Sequence, residues 1–406
     1  MPWKETRALD LKKSLIESWE ADEYSLAELC RQRGISRQTA YKWLRRYEEE
    51  GEAGLEERDR TPKSCPHRLN ERVVERIVAG RQQHPSWGPR KLLADLERKE
   101  PKTAWPSVST IAEVLKRKGL SVPRKTRVRA PAHTEPFVEV RENNQVWCAD
   151  FKGWFLTGDG QRCDPLTITD AWSRFVFRCQ IVPKTNHEEA QAVFQAAFRE
   201  FGLPDKIRTD NGAPFASRAP GGLSRLSIWW LKLGIKPERI PPGKPQYNGR
   251  HERFHRTLKA ETANPSARTL RQQQQRFHVF MAEFNRDRPH EALNYQTPAQ
   301  LYRPSPRAFP SRLPELEYPD DMVLRRVSQQ GSVRWKGRRE YITEALGHEV
   351  VGLRARDDRY WEVYFADIKL GVLDTHRMHF KAHRARWNRR PGELPETSDK
   401  TSRSRE

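Results

Sequence analysis

The residue pattern of this 406-residue chain changes twice, and the changes predict where its domains begin and end. Apolar residues recur at helical spacing up to about residue 122 and alternate as in β-strands from about residue 136. Short β-rich runs then fill residues 318–380. Since a single core rarely accommodates such segregated blocks, the pattern predicts a multidomain chain with α and α/β parts.

The first block predicts a helix-turn-helix domain over residues 1–62. Two short amphipathic stretches meet at Gly34, and Ser25 and Ser36 precede them as N-caps. The second stretch turns one apolar face inward, and the side chains left outside are Arg37, Gln38, Tyr41, Lys42 and Arg45. Long hydrogen-bonding side chains on a packed support are typical of a DNA recognition helix. The alternative is a solvated helical hairpin with incidental charge.

A second trihelical unit is predicted over residues 63–122. Pro89 and Ser107 stand at helix starts and Gly119 at a helix end, which suits a second small DNA-binding domain. Residues 123–135 form a basic, proline-containing linker that could also follow a phosphate backbone. Residues 381–406 show no apolar period and are predicted to be a disordered basic tail.

The remaining blocks predict a mixed α/β core over residues 136–310 and a small β-barrel over residues 318–380. In the core, three strands precede a helix, a further strand and more helices. In the C-terminal block, six short strands are separated by Gly- and Asp-containing turns, which suits a small barrel or sandwich. Its basic residues either contact phosphate or belong to a solvated surface: Arg325, Arg326, Arg334, Lys336 and Arg338.

The composition narrows the function classes. Lys and Arg number 75 against 54 Asp and Glu, and the net charge of +21 favours a polyanionic partner such as nucleic acid. No apolar run approaches the ~18–20 residues that span a bilayer, and the first residues lack the apolar centre of a signal peptide. The five cysteines never form C-x-x-C, which favours reduced thiols. A cytoplasmic, nucleoid-associated protein without membrane contact is expected.

Three acidic residues stand where a catalytic site could form. Asp150 ends an alternating strand, Asp210 ends another before an Asn-Gly turn, and Glu252 lies in a helix that begins near residue 248. If the strands are neighbours, both aspartates reach one sheet edge, and the helix can add the glutamate. Clustered carboxylates require a cation, and oxygen ligands select Mg²⁺ or Mn²⁺. Two such ions ~3.5–4 Å apart suit phosphoryl displacement. Taken singly, each acid is equally a turn, cap or surface residue.

The residues around these acids carry a family resemblance. The segments W-x-x-D-F, T-D-N-G-x-x-F, Q-Y-N-G-x-x-E-R-F-H-R and F-N-x-x-R-P-H occur in that order. Over residues 136–305 this series resembles the integrase-core, DDE-type transposases of bacterial insertion sequences, relatives of retroviral integrases. The resemblance implies an RNase H-like fold, a site for two divalent ions and an acidic triad on Asp150, Asp210 and Glu252. Forty-one residues separate Asp210 from Glu252, more than in many relatives.

The function implied is that of a polynucleotidyl transferase. Such a transposase binds double-stranded DNA, both the terminal inverted repeats of its element and the target. It then cleaves and transfers strands with Mg²⁺ or Mn²⁺, working as a homo-oligomer on DNA. The alternatives are a catalytically inactive DNA-binding regulator derived from a transposase and an RNase H-like nuclease that does not join strands.

The helix around Glu252 admits further interpretations. His251 and His255 complete a literal H-E-x-x-H, the zinc-peptidase signature, although a peptidase would explain neither the charge nor the helix-turn-helix. Arg256 and Lys259 follow Glu252 by four and seven positions, so they share its face and suit DNA phosphate binding. His255 either contacts DNA or packs. Outside this helix, we expect Asp170 to be a turn residue and the segment 288–290 to be a structural corner.

Overall fold

The computed structural model describes residues 8–22, 24–58, 69–121, 140–240 and 249–383. The predicted linker at 123–135 and the tail from residue 384 onward lie outside the described residues. The chain divides into two compact units, residues 1–70 and 71–406. Among the helices in the described ranges, none is both long and apolar enough to cross a membrane.

The first unit is a three-helix domain with a short connecting turn. Its helices are α1 (Ala8–Glu20), α2 (Leu26–Arg33) and α3 (Arg37–Glu50). The hydroxyls of Ser25 and Ser36 accept hydrogen bonds from backbone N–H groups in the first turns of α2 and α3. Gly34 ends α2 with a φ of 65°, a left-handed conformation that glycine adopts without a Cβ clash. The predicted caps and turn are therefore confirmed.

The apolar face of α3 that was predicted to point inward lies in the core of this first unit. Ala40, Trp43 and Leu44 are buried together with Leu15 and Leu29 from the other two helices. The five side chains predicted to face outward are all exposed: Arg37, Gln38, Tyr41, Lys42 and Arg45. The arrangement leaves one polar, mostly basic helix face open to solvent.

The second unit begins with three more helices, α4 (Glu71–Gln83), α5 (Pro89–Lys99) and α6 (Val108–Arg117). Pro89 occupies the first turn of α5, and the hydroxyl of Ser107 caps α6 by accepting from Thr110 N–H. Each helix buries one apolar face, which contains Ile77 in α4, Leu92 in α5 and Ile111 in α6.

The second unit then builds a mixed sheet. The strands are β1 (Val146–Phe151), β2 (Phe155–Leu156), β3 (Arg162–Asp170), β4 (Val176–Val182), β5 (Lys206–Thr209) and β6 (Lys236–Arg239). The order is β2-β3-β1-β5-β6, with β4 paired to β3. The β1–β3 and β3–β4 pairs are antiparallel, whereas β1–β5 and β5–β6 are parallel. The predicted mixed α/β core is confirmed.

Strand β6 was not expected from the sequence. Its four residues include Pro237 and three charged residues, a composition that strands usually avoid. The strand lies at the edge of the sheet, the position where a proline without an N–H donor is tolerated.

Helices cover both faces of this sheet. They are α7 (His187–Phe201), α8 (Arg225–Lys232), α9 (Gly249–Leu258), α10 (Leu270–Arg286) and the short α11 (Pro298–Leu301). Helices α7 and α8 pack on the face that carries Trp147 and Ala149. Helices α9 and α10 join Cys163 and Cys179 in a second cluster through Phe254 and Leu258 of α9 and Phe277 of α10. The predicted packing of α9 through Phe254 and Leu258 is confirmed.

The C-terminal strands form an open sheet and a separate hairpin, and closure into the predicted barrel is not observed. The strands are β7 (Met322–Arg326), β8 (Ser332–Trp335), β9 (Arg338–Tyr341), β10 (Val350–Ala355), β11 (Tyr360–Phe365), β12 (Ile368–Asp374) and β13 (His379–Ala382). Five of them pair in the order β13-β12-β11-β10-β7, and β8-β9 is a separate hairpin. Val333 and Trp335 of the hairpin are buried against Val351 and Leu353 of the sheet. The hairpin thus covers the apolar face by packing instead of closing the ladder.

Candidate active site

Asp150 and Asp210 lie at one edge of the mixed sheet. Strands β1 and β5 are parallel, with Val146 opposite Lys206 and Cys148 opposite Arg208. The same offset, continued two residues further, places Asp150 beside Asp210, which directly follows β5. Because parallel strands end at the same edge, the register puts both residues at one end of the sheet.

The two aspartates have different surroundings. The Asp150 side chain is 20 % exposed and lies close to α9. Asp210 is exposed, and its carboxylate accepts the N–H of Gly212 at 3.1 Å. Although the residue is exposed, neighbouring atoms partly desolvate the Asp210 carboxyl and raise its pKa, while the Gly212 N–H and the charge of Arg239 act in the opposite direction. Arg239 itself donates to the backbone oxygens of Phe215 and Gly222, which holds it beside this edge.

Glu252 occupies the first turn of α9 and is exposed to solvent. In the structure, the carboxylates of Glu252, Asp150 and Asp210 do not lie close enough together to bind one metal ion. Among the described residues, the only three side chains whose ligand atoms all lie within 4.8 Å of one another are Asp150, His251 and His255. Helix α9 therefore presents its two histidines to the sheet and Glu252 to solvent.

The hydroxyl of Thr167 on β3 connects these histidines to β1. Its Oγ1 lies 3.0 Å from the Asp150 carbonyl oxygen and 2.7 Å from the Nε2 atoms of both His251 and His255. A hydroxyl has one proton, and the carbonyl oxygen can only accept. Thr167 therefore donates to the carbonyl, and each histidine donates from a protonated Nε2.

This assignment leaves both Nδ1 atoms as acceptors. Nδ1 of His251 accepts from the Thr169 hydroxyl at 3.2 Å, whereas Nδ1 of His255 faces Asp150 Oδ2 at 3.9 Å. Burial lowers the pKa of His251 to about 3 and that of His255 to about 2, so both rings are neutral. The nitrogen lone pair of His255 thus lies beside a carboxylate oxygen, an arrangement that suits a cation between the two atoms.

These contacts decide between the alternatives for the H-E-x-x-H segment. Both nitrogens of His251 are engaged in hydrogen bonds, so the pair does not present two free ligands to a zinc ion. His255 is 7 % exposed and bonded to Thr167, so it packs against the sheet instead of facing a DNA surface.

Basic side chains flank the acids. Arg256 of α9 and Lys259, the first residue of the π-helical turn that follows it, are exposed, as Glu252 is. Lys152, just beyond β1, was not singled out from the sequence. Burial and the charge of Lys259 lower its pKa, and the charge of Asp150 opposes this. Its position two residues after Asp150, on the same side of an extended chain, is the signal that could have identified it.

Two further predictions outside α9 are confirmed. Asp170, the last residue of β3, accepts from the backbone N–H and hydroxyl of Ser173, both at 2.7 Å, and from Asn144 N–H at 3.0 Å, so its carboxylate holds the turn that follows β3. The segment 288–290 is a buried corner, where Arg288 pairs with Glu261 at 2.6 Å.

Family models match most of the described chain. Integrase core domain models match residues 140–245 and 233–298. A helix-turn-helix domain model matches residues 11–63, and a homeodomain-like model matches residues 39–115.

Relatives of known origin match the same region. The uncharacterized 31.7 kDa protein of insertion element IS407 from Burkholderia multivorans is 27 % identical over 238 residues, 58 % of this chain and 82 % of the relative. The transposase InsD of insertion element IS2 from Escherichia coli is 27 % identical over 233 residues, 54 % of this chain and 74 % of the relative.

Solved integrase structures also align with the chain. The HTLV-2 integrase catalytic core domain in complex with magnesium aligns with a TM-score of 0.31 and 16 % identity, covering 40 % of this chain and 98 % of that one. From these matches, this chain contains an integrase core domain over residues 140–298 and is similar to the transposases of bacterial insertion sequences.

Proposed function

We propose that this protein binds the inverted repeats at the ends of its own element, cleaves DNA there and joins the freed strand to target DNA, with Asp150, Asp210 and Glu252 as its catalytic acids. One observation carries the proposal. The parallel register of β1 and β5 supports a site for Asp150 and Asp210 at one end of the sheet, and α9, which carries Glu252, approaches Asp150 through His255.

The side chains at this edge fit a hard divalent ion. Carboxylate oxygens are the ligands that Mg²⁺ and Mn²⁺ prefer, and neighbouring carboxylates repel each other without a cation. Asp150 and Asp210 would hold the first ion, and Glu252 would complete a site for two. When bound, such ions lower the pKa of water and neutralise charge on a phosphodiester. The His255 Nδ1 lone pair is the nearest further donor to Asp150.

The chain's own basic residues would position the DNA. Lys152 lies close enough to Asp150 and Lys259 for both charges to act on it, and Arg256 shares the exposed face of α9. Their charges are placed to hold the phosphates that flank the scissile bond. Phosphates held by these charges would orient the phosphodiester for in-line attack, first by water and then by the exposed 3′-hydroxyl.

The helical units would supply recognition. Residues on the open face of α3 would read base edges in the major groove, with neighbouring basic residues on the backbone. The open C-terminal sheet and its hairpin carry exposed Arg326, Arg334 and Arg338, which would add phosphate contacts. Because two ends of an element must meet, we expect a homo-oligomer assembled on DNA.

Exchanging the outer face of α3 should weaken DNA binding without unfolding the domain. Arg37→Ala, Gln38→Ala and Lys42→Ala alter exposed side chains, and removing a side chain that reads a base edge costs about 1–3 kcal/mol of binding free energy. Fluorescence anisotropy with duplex DNA that carries a terminal repeat measures the effect. Glu48→Ala, at another exposed position of α3, serves as the control. Wild-type affinity in all three variants would assign recognition to another surface.

The proposed activity is tested with DNA that carries the repeats flanking the gene. With Mg²⁺ or Mn²⁺, the protein should expose a 3′-hydroxyl at the repeat end and then join a pre-cleaved end to plasmid DNA. Cleavage without joining would indicate a nuclease of the same fold. Binding without cleavage would indicate a DNA-binding regulator.

A further inference from the structure

A basic cavity lies between the integrase core and the helices α4–α6, which are called the second helical unit below. It has a volume of about 470 Å³ and is lined by α5, the ends of β1, β3 and β5, α9 and the corner after α10. Its lining contains none of Asp150, Asp210 and Glu252. The volume falls in the range of ligand-binding pockets, ~300–1,000 Å³.

The charges in the lining are strongly unbalanced. Seven basic side chains face the cavity and only two acids, Asp170 and Glu291, do so. Asp170 is committed to the turn that contains Ser173, and Glu291 reaches outward to Arg90 at 3.4 Å. The charges of Glu291 and of Glu261 also act on Lys91, but these acids are outnumbered by the basic side chains of the lining.

Two of the basic residues are paired with acids outside the lining. Arg208 forms an ion pair with Glu238, and Arg288 forms one with Glu261, each at 2.6 Å. Lys91 of α5 and Arg174, in the turn after β3, have no acidic partner within 4.0 Å in the part of the chain that the structure describes. They come from elements more than 80 positions apart, so packing of the helical unit on the core creates this pair.

The backbone at Arg174 is held in an unusual conformation. Its φ is 64°, in the left-handed region that arginine rarely adopts, and its N–H donates to the Asp170 carbonyl at 3.0 Å. Such strain persists where the surrounding structure requires it and is frequent at ligand-binding sites. The turn thereby carries a partly buried guanidinium at the cavity wall.

The electrostatic consequence is mutual repulsion. Burial and the charge of Arg288 lower the pKa of Lys91 to about 8, and burial with the charges of Arg250 and Arg253 lowers that of Arg174. The close approach of these positive charges in the cavity therefore costs free energy. A bound anion would remove this cost.

We infer that this cavity binds a phosphate group between the second helical unit and the integrase core, with Lys91 and Arg174 as its principal ligands. The phosphate is either a backbone phosphodiester of DNA, which rests on the proposed function, or free inorganic phosphate. A DNA phosphate held there would tie the second helical unit to the catalytic core and so align a bound end with the catalytic acids.

The test uses the full chain and two independent variants, Lys91→Met and Arg174→Asn. Asparagine tolerates the left-handed backbone, so the second variant removes the charge without adding strain. Lys102→Met, in the exposed turn between α5 and α6, removes a charge from the same helical unit and is the control. All variants also carry Asp150→Asn and are assayed with a chelator, which separates phosphate binding from catalysis.

Two measurements distinguish the phosphate sources. If the cavity holds a DNA phosphate, each variant should bind terminal-repeat duplex more weakly. The slope of log K against log salt concentration should also be smaller in magnitude by about 0.9. The affinity deficit of each variant should then shrink by about 3.5-fold between 50 and 200 mM salt. If it holds free phosphate, inorganic phosphate should raise the unfolding temperature of the parent protein above that in chloride of equal ionic strength, and the variants should lose this rise.

Both results support a phosphate site and differ only in its source. The inference is overturned if Lys91→Met and Arg174→Asn match Lys102→Met in both measurements. Because removing one of several like charges relieves repulsion, neither variant should unfold at a lower temperature than the parent in phosphate-free buffer. The strand-joining assay remains a separate test, so failure of the cavity does not imply failure of the proposed function.

Discussion

Asp150→Asn, Asp210→Asn and Glu252→Gln should each reduce Mg²⁺-dependent strand cleavage and joining by about 1,000-fold while leaving DNA affinity unchanged. Each substitution replaces a charged oxygen ligand by an amide of the same shape. Metal ions contribute several kcal/mol of charge stabilisation to phosphoryl transfer, and each 1.36 kcal/mol is a factor of ten in rate. Cleavage and joining are measured with repeat-bearing DNA, and affinity is measured by anisotropy.

The matched control is Asp205→Asn. Asp205 directly precedes β5, at the opposite end of the strand from Asp210, where it pairs with Arg307 at 3.2 Å on the surface. Its removal should leave the rate near wild type. Retained strand joining in any of the three acid variants would remove that residue from the catalytic set.

The result for Glu252 is the most informative of the three. This carboxylate is exposed, whereas His255 Nδ1 lies 3.9 Å from Asp150. If Glu252→Gln keeps full activity and His255→Gln loses it, the third ligand is the histidine. If only Glu252→Gln loses activity, DNA or metal binding must draw the glutamate toward the aspartates.

Thr167→Val should destabilise the integrase core by about 3 kcal/mol or more. The hydroxyl has three partners, the partly buried Asp150 carbonyl and the buried Nε2–H groups of His251 and His255. Valine fills the same volume but leaves these groups without a partner. Each unsatisfied buried polar group costs about 1–3 kcal/mol. Native-state hydrogen exchange of the β3 and α9 amides measures the loss in the full chain.

Two further variants and a spectrum separate this network from a general packing effect. Thr167→Ser keeps the hydroxyl and should restore most of the stability, whereas Thr257→Val, at a half-buried position on α9, should change it little. The ¹⁵N chemical shifts of both histidines should report a protonated Nε2 in the wild-type protein. A protonated Nδ1 on His255 would contradict the hydrogen assignment at Thr167.

Much of the local structure could be predicted from residue spacing. The caps at Ser25 and Ser36 and the buried stripe of α3 follow from hydrogen bonding and helical period, which depend on neighbouring residues only. The alternation in β1 placed Val146 and Cys148 on one face and Trp147 on the other, as observed. Strand β6 was not predicted because Pro237 and the charged residues beside it are acceptable in a strand only at a sheet edge. Whether a strand lies at an edge is not encoded in its own residues.

The C-terminal sheet shows the same limit of prediction from local sequence. Its strands were predicted from their turns, but whether they close depends on which strands pair. The hairpin β8-β9 buries Trp335 on the sheet without joining its hydrogen-bonded ladder, and this arrangement follows from side-chain packing between separate segments.

By itself, the sequence determined the types of most of its elements, the open basic face of α3 and the positions of Asp150 and Asp210 at strand ends, because these follow from the period of the backbone and from nearest neighbours. The tertiary structure alone decided that His251 and His255 share Thr167 beside Asp150, and that Lys91 and Arg174 meet in one cavity. Such contacts join segments 80 or more positions apart. Their geometry is set by how helices and sheet pack, which no local pattern specifies.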